Sequence, residues 1–600
     1  MSAHPHLPDR RDFSGDLRLL LIAAIAAVIG GLAVLAAHVL LLLIRFFTDL
    51  FFYQRLSLAE LSPANHGLGA WVIVVPVIGG IVIGLIARYG TEQIRGHGIP
   101  EAIEAILFKD SAMSPKVAVL KPLASGIAIG SGGPFGAEGP IIMTGGAIGS
   151  LIAQHFHLTG GERKSLLVAG AVSGMTAVFG TPVAAVLMAV ELLLFELRPR
   201  SLLPVAVACA VAGFLRPLAM EAGPLFPLQT MPVAPIALLS CVAAGVLCGA
   251  LSWTMSTMLY KVEDWFHRLP IHWMWWPALG ALAVGIGGYF QPRALGVGYD
   301  VIGDLLHNHL ALGVIAGLLL VKLAIWVIAL GSGTSGGVLA PLLMLGAGLG
   351  AALSHVLPGA EPGLWPLVFM AATLGGMMRA PVMAIVFAFE LTGDANALLP
   401  LLAAAAGAYG FTVLTMGRSI LTEKIARRGH HIYREYGIDP LERHSVAEVM
   451  STQPVAIDAD ATIAAVLATH FGAGQAHRAY PVVRGGLLVG MLDRGALDGK
   501  PGDALVGSLY GVNPPPVALP GETCRTVATR LAVHELERLP VVSSAAHPQL
   551  LGIVSRSDLI KATATLHVEE HERRTLRGMP PGWRRTGGSR SSMQTSNHVR

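Results

Sequence analysis

Charge is what this sequence has least of. Only 13 % of its 600 residues are Asp, Glu, Lys or Arg, about half the ~25 % of an ordinary globular chain. The net charge of +4 gives no basic field for a nucleic-acid partner. The four cysteines, Cys209, Cys241, Cys248 and Cys524, show neither metal-ligand spacing nor a disulfide framework. Three of them lie in apolar runs and read as small buried hydrophobes. No metal cluster and no nucleophile–base pair stands at recognisable spacing in the apolar region, so the chain does not read as an enzyme and requires no cofactor. The N-terminal residues do not read as a cleavable leader. Residues 1–15 are polar and are followed by an apolar run from Leu19 to Ile44, longer than a signal core and than the ~20 residues that cross a bilayer. A long, tilted first helix is expected. The lack of a targeting segment favours a bacterial inner membrane over an organelle.

What the chain does have is apolar surface and glycine. Hydrophobic residues make up 53 % of it, and 71 residues are Gly, well above the usual ~7 %. Small residues let membrane helices approach closely. Apolar segments recur from about residue 16 to residue 416, several of them short or broken by Gly and Pro. In lipid, broken helices persist only inside protein or beside water, so such segments point to a site built from helix ends.

Two sequence pairs mark an internal repeat. Pro182–Glu191 reads PVAAVLMAVE and Pro381–Glu390 reads PVMAIVFAFE, identical at half their positions; Gly130–Pro140 and Gly331–Pro341 match at five of eleven. Two homologous halves follow, at about 16–218 and 234–416, within a membrane domain at 16–430. A basic stretch comes next, with Arg418, Lys424, Arg427, Arg428, Arg434 and Arg443, so this end is expected in the cytoplasm. After a linker at 431–444, a soluble α/β unit contains its own repeat, at 445–499 and 500–565. The tail at 570–600 is basic, rich in Ser, Gly and Pro, and reads as disordered.

Three loops carry the chemistry. They are Gly96-His97-Gly98-Ile99-Pro100, Gly136-Ala137-Glu138-Gly139-Pro140 and Gly337-Val338-Leu339-Ala340-Pro341. Each Pro falls where a helix begins, and Gly leaves the backbone amides uncovered. Helix N-termini combine free N–H groups with a positive dipole end. Three converging N-termini would hold an anion without a formal cation, and so without binding it too tightly for release. Glu138 stands in a stretch otherwise uncharged from Pro122 to Gln154. A charge at that depth costs at least ~2.5–3.5 kcal/mol and marks a pathway. Ionised, its carboxylate can occupy the anion's place; protonated, it withdraws. The bland reading is a structural capping carboxylate.

These loops resemble, in order, the motifs of the CLC chloride channels and transporters, over about residues 16–430. The unit at 445–565 resembles a tandem CBS pair. The resemblance implies an all-α membrane bundle of two inverted repeats and a homodimer with one chloride pathway per subunit. It implies a central anion site lined by the amides of Val338 and Leu339, an outer site around Gly136, Ala137 and Gly139, and Glu138 as the gate. The first loop, with Gly98 and Ile99, departs from the pattern at His97, where a Ser hydroxyl is usual; a neutral imidazole can also donate. Leu339 replaces a Phe, and Leu421 replaces a Tyr that supplies a hydroxyl. Proton-exchanging members often carry two adjacent glutamates where this chain has Glu191-Leu192. Glu196 shares a helical face with Leu192 if the helix continues, so it stands as a substitute proton relay or as an interfacial partner of Arg198. A voltage- or pH-gated chloride channel is therefore the leading reading, with proton–chloride antiport the alternative on the same fold. A CBS-regulated cation transporter would need several intramembrane carboxylates; a nucleotide-sensing membrane protein is the other rival. In the second CBS copy, Ser555 and Asp558 match the pattern that binds phosphate and ribose, so ATP or another adenine nucleotide is a candidate ligand there.

Overall fold

The computed structural model describes residues 17–432, 439–472, 477–511 and 515–561. The predicted segment at 1–15, the tail at 570–600 and part of the linker lie outside them. The chain divides into a unit within 12–435 and another within 436–600.

The first unit is helical. Its first half holds α1 (Arg18–Tyr53), α2 (Val74–Tyr89), α3 (Ile99–Phe108), α4 (Pro115–Gly130), α5 (Glu138–Gln154), α6 (Gly160–Phe179), α7 (Pro182–Met188) and α8 (Pro199–Leu215). Its second half holds α9 (Ala237–His267), α10 (Trp276–Phe290), α11 (Tyr299–Leu306), α12 (Leu312–Gly331), α13 (Leu339–Leu353), α14 (Leu364–Met378), α15 (Pro381–Thr392) and α16 (Leu398–Thr415), and α17 (Ile420–Arg427) closes the unit. Each of α1 to α8 has its counterpart eight helices on. Among the described residues, six helices are long and apolar enough to cross a membrane, and this is a multi-pass membrane protein. Helices such as α3, α7, α13 and α15 are too short to span alone. Helices α3 and α13 are largely buried, α7 and α15 expose one face at Val183 and Val382, and neighbouring protein satisfies their ends.

The halves pack in matching fashion. Helix α5 lies on α6 as α13 lies on α14, and α1 lies on α8 as α9 lies on α16. Counterparts also touch each other: α2 on α10, α5 on α13, α7 on α15. The α5–α6 contact needs glycine on both sides, because a Cβ on Gly145 would lie 2.2 Å from the Gly170 carbonyl, and one on Gly170 would lie 2.1 Å from the Gly145 carbonyl. Reciprocal bonds fix the relation between the halves. The Glu191 carboxylate accepts from the amides of Val382 and Met383 at 3.4 and 2.9 Å, and Glu390 accepts from Val183 and Ala184 at 3.0 and 2.8 Å. Each glutamate ends one helix and caps the N-terminus of the other half's counterpart, where a carboxylate is favoured. Gly136 and Gly337 pair as an antiparallel bridge. Equivalent segments that exchange bonds and run antiparallel are related by a two-fold axis across the chain direction, as in the predicted inverted repeat.

The second unit contains two small sheets. In one, β1 (Ile457–Asp458) pairs parallel to β2 (Ala479–Arg484), and β2 pairs antiparallel to β3 (Leu487–Asp493). In the other, β4 (Arg538–Val542) pairs antiparallel to β5 (Leu550–Ser555), and Ala518 adds a parallel bridge to Val541. The parallel first strand and the antiparallel hairpin thus recur in both copies. A core around Ile463, Val482 and Leu492 serves the first copy, and one around Val527, Val541 and Val554 serves the second.

Candidate functional site

Three helices begin at one place. Gly98 caps α3 at φ +92°, a conformation that favours glycine. Helix α5 begins at Glu138 and α13 at Leu339, neither with a side-chain cap. Backbone bonds stitch the preceding loops together. Gly337 N donates to Gly136 O at 2.9 Å and Gly136 N to Gly337 O at 3.3 Å; Gly96 N donates to Gly333 O at 3.2 Å. The predicted residues His97, Gly98, Ile99, Gly136, Ala137, Glu138, Gly139, Val338 and Leu339 are all buried here. Among the described residues, no backbone carbonyl accepts from the amide of Val338 or Leu339 outside their helix. The positive ends of three helices are thereby left facing a common centre.

Glu138 lies over the glycines. A Cβ on Gly136 would fall 1.9 Å from its Oε2, and one on Gly337 would fall 2.5 Å from the same atom. The carboxylate is fully buried and neither oxygen has a hydrogen-bond partner. The polar groups that face it, short of full hydrogen-bond geometry, are its own amide, that of Ala340, and the buried Tyr299 hydroxyl. The closest joint between loops is at Gly139, where a Cβ would stand 1.9 Å from the His97 carbonyl. The His97 ring is buried with both nitrogens unpartnered, and the charged groups around it are Lys424, Glu101, Lys121 and Arg428.

Two buried lysines and a tyrosine were not anticipated. Lys121 of α4 donates to the carbonyls of Ile94 and Gly96, both at 2.8 Å; Lys322 of α12 donates to Ala294 at 3.0 Å and Gly296 at 2.9 Å. They occupy equivalent places in the two halves, each fastening a Gly-x-Gly loop ahead of a short helix. Their signal was a charge at bilayer depth, the same signal that singled out Glu138. Tyr299 opens α11 after Gly296-Val297-Gly298, the repeat counterpart of the loop that carries His97. That match was readable in the sequence.

Glu196 does not continue the helix that carries Leu192. The backbone widens into a π-helix over Ala189–Leu194 and is then broken by Phe195 at φ +53°, so the assumed i, i+4 relation is lost. Glu196 accepts from the Ser201 hydroxyl at 2.6 Å and lies 3.9 Å from Lys164 and 3.8 Å from Arg198. Leu192 is buried, as is Leu421 on α17.

The voltage gated chloride channel family matches residues 79–413, across these loops and both halves. The chain belongs to that family. The CBS domain family matches residues 446–497 and 506–565. A voltage-gated ClC-type chloride channel, ClcB, of Escherichia coli O81 (strain ED1a) is 30 % identical over 406 residues, which are 64 % of this chain and 94 % of that protein. A putative chloride channel protein, ClcB-like, of Ralstonia nicotianae is 28 % identical over 386 residues, 61 % of this chain and 90 % of the relative. The fold resembles the crystal structure of a slow cyanobacterial Cl−/H+ antiporter, with TM-score 0.60 and 22 % identity over 69 % of this chain and 99 % of that one. It also resembles a eukaryotic CLC transporter, with TM-score 0.58 and 19 % identity over 90 % and 98 % of the two chains.

In the CBS unit of this CLC protein, Asp558 Oδ2 accepts from the Ser555 amide at 2.9 Å and hydroxyl at 2.6 Å, while Oδ1 pairs with Lys561 at 2.5 Å. Burial pushes this carboxyl up, but the bonds from Lys561 and Ser555 outweigh it and hold the group below its ordinary value. The two residues singled out by sequence are thus adjacent and ionically organised.

Proposed function

We propose that this protein is a chloride channel in which a small anion passes the ends of α3, α5 and α13 and Glu138 is the gate. It is read as a transporter of anions and not as an enzyme. One observation carries the reading: a buried carboxylate lies over Gly136 and Gly337 at the meeting point of three helix N-termini that have no side-chain cap. Amides and dipole ends favour an anion there, and the carboxylate occupies the place an anion would take. Passive conduction is favoured over proton antiport because Leu192 is apolar and Glu196 is held by Ser201, Lys164 and Arg198. Reversal potentials in a proton gradient at fixed chloride separate the two; a shift sinks the channel reading.

His97 is assigned a hydrogen bond to the passing anion, since its two ring nitrogens are buried with no protein partner and such groups are costly unless something else pairs with them. His97→Ser is expected to keep transport while changing the relative permeabilities of chloride, nitrate and fluoride. Identical permeability ratios in both proteins remove His97 from the path.

The homodimer, the cytoplasmic placement of the C-terminal unit and residence in a bacterial inner membrane belong to the same reading, with bilayer lipid as its surroundings. The basic residues after α16 support the orientation. An adenine nucleotide is assigned to the second CBS copy, where Asp558 would turn from Ser555 and Lys561 to ribose hydroxyls. Calorimetry with ATP on the full chain is expected to show binding that Asp558→Ala abolishes. No heat with the wild-type protein rules the nucleotide out.

A further inference from the structure

Position 421, where the family resemblance leads one to expect a hydroxyl, is a buried Leu. Three residues further along α17, on the same helical side, stands Lys424. Its ammonium reaches the first loop, since a Cβ on Gly96 would lie 2.7 Å from its Nζ. It is one of the charged groups around His97.

Lys424 also lines a cavity of about 580 Å³, together with Arg95, Lys109, Glu101, Glu263 and Arg428. The cavity extends from exposed Gln93 and Lys109 to buried Met143 and Gly331. Met143 in turn packs against Gly98, where a Cβ would lie 2.7 Å from its Cγ. The space therefore ends against the loop of the anion site.

Lys109, Arg427 and Arg428 on this wall are held in ion pairs, while Arg95 rests on an aromatic ring with its Nε buried and without a hydrogen-bond partner. Arg428 binds Glu101 at 2.5 Å and Glu104 at 2.6 Å, and Lys109 pairs with Glu104 at 2.8 Å. Arg427 takes Asp264 at 2.5 Å and Glu423 at 3.2 Å. Arg95 lies against Trp273 with its Cζ 4.4 Å from the ring centre. Among the described residues the one ion pair of Lys424 is with Glu263, at the long distance of 4.0 Å, with Glu101 also nearby, and its side chain is 17 % exposed. Among the described residues its ammonium makes no hydrogen bond. A compact charge on a flexible stem with rotatable donors can change partner.

We propose that Lys424 is a positioning residue for the transported anion. Its ammonium receives a small monovalent anion in this cavity and presents it to the Gly96–His97 loop, with Glu263 as the competitor that keeps the hold weak enough for release. The inference rests on the anion-transport reading.

The test is chloride flux through the full-length protein in planar bilayers, with chloride varied separately on each face, for the wild type, Lys424→Met, Lys424→Arg and Glu263→Gln. Lys424→Met is expected to raise the half-saturating chloride concentration on one face by about tenfold, with a smaller change in maximal flux. Lys424→Arg restores most of the shift, and Glu263→Gln shifts the value the opposite way by freeing the ammonium. A structural ion pair predicts something different: Glu263→Gln would then act in the same direction as Lys424→Met, and that result overturns the proposal. An unchanged half-saturation in Lys424→Met overturns it too. If Lys424→Met does not fold, the direction of the Glu263→Gln shift still decides. A wild-type protein that moves no anion removes the transport reading and this inference together, whereas a transporting wild type with either contrary result removes the inference alone.

Discussion

Replacing Glu138 by Gln leaves chloride flux high and abolishes its dependence on pH. The carboxylate lies among helix N-termini over Gly136 and Gly337, so in its ionised form it competes with the anion for the same amides. Protonation removes the charge that makes it a competitor. Flux through the wild type therefore rises as pH falls, by at most about tenfold per pH unit for one titrating carboxyl. Gln has nearly the same shape but never carries the charge, so the variant stays in the open condition across about pH 4 to 8, where carboxyls titrate. Chloride efflux from proteoliposomes over that range measures it. A Gln variant that keeps the wild-type pH profile excludes Glu138 as the gate.

The second large effect belongs to glycine. Gly139→Ala is expected to lower flux by more than about tenfold, the equivalent of 1.4 kcal/mol at the site, while Gly136→Ala raises flux and flattens its pH dependence. The contrast comes from what each new methyl meets. At Gly139 it meets the His97 carbonyl at 1.9 Å, a backbone atom of the first loop that cannot swing aside as a side-chain end can. The loops must separate, and the three helix ends lose their common centre. At Gly136 the nearest atoms are the two Glu138 oxygens, at 1.9 and 2.3 Å. These are the free end of a side chain, so the carboxylate moves away and the gate is displaced. Equal effects from the two substitutions would mean that the carboxylate position has no bearing on flux. Folding of both variants is checked by thermal melting in detergent.

Much of this was legible in the sequence because it is written locally. Gly and Pro mark the three loops wherever the chain goes next, and the lone charge at Glu138 needs no partner to be conspicuous. The two halves were legible because identity at a fixed offset survives in Pro182–Glu191 and Pro381–Glu390. What escaped depends on contacts between distant segments. Glu191 and Glu390 read as helix-end residues, but nothing in either decapeptide says that each caps the other's helix. Lys121 and Lys322 were overlooked although they share nearly the offset of the Gly-rich loops; their role needs carbonyls that only the folded loops present. The break at Phe195 was invisible because a π-helix has no signature among the leucines at 192–194. It separates Glu196 from the helical face of Leu192.

The most direct measurement records chloride and proton movement together from proteoliposomes of the wild-type protein, with a chloride electrode and a pH electrode in one chamber. Passive conduction gated at Glu138 predicts chloride efflux down its gradient, faster at lower external pH, with no proton uptake coupled to it. Proton movement in fixed proportion to chloride contradicts conduction, and absence of chloride movement at every pH contradicts the anion path itself.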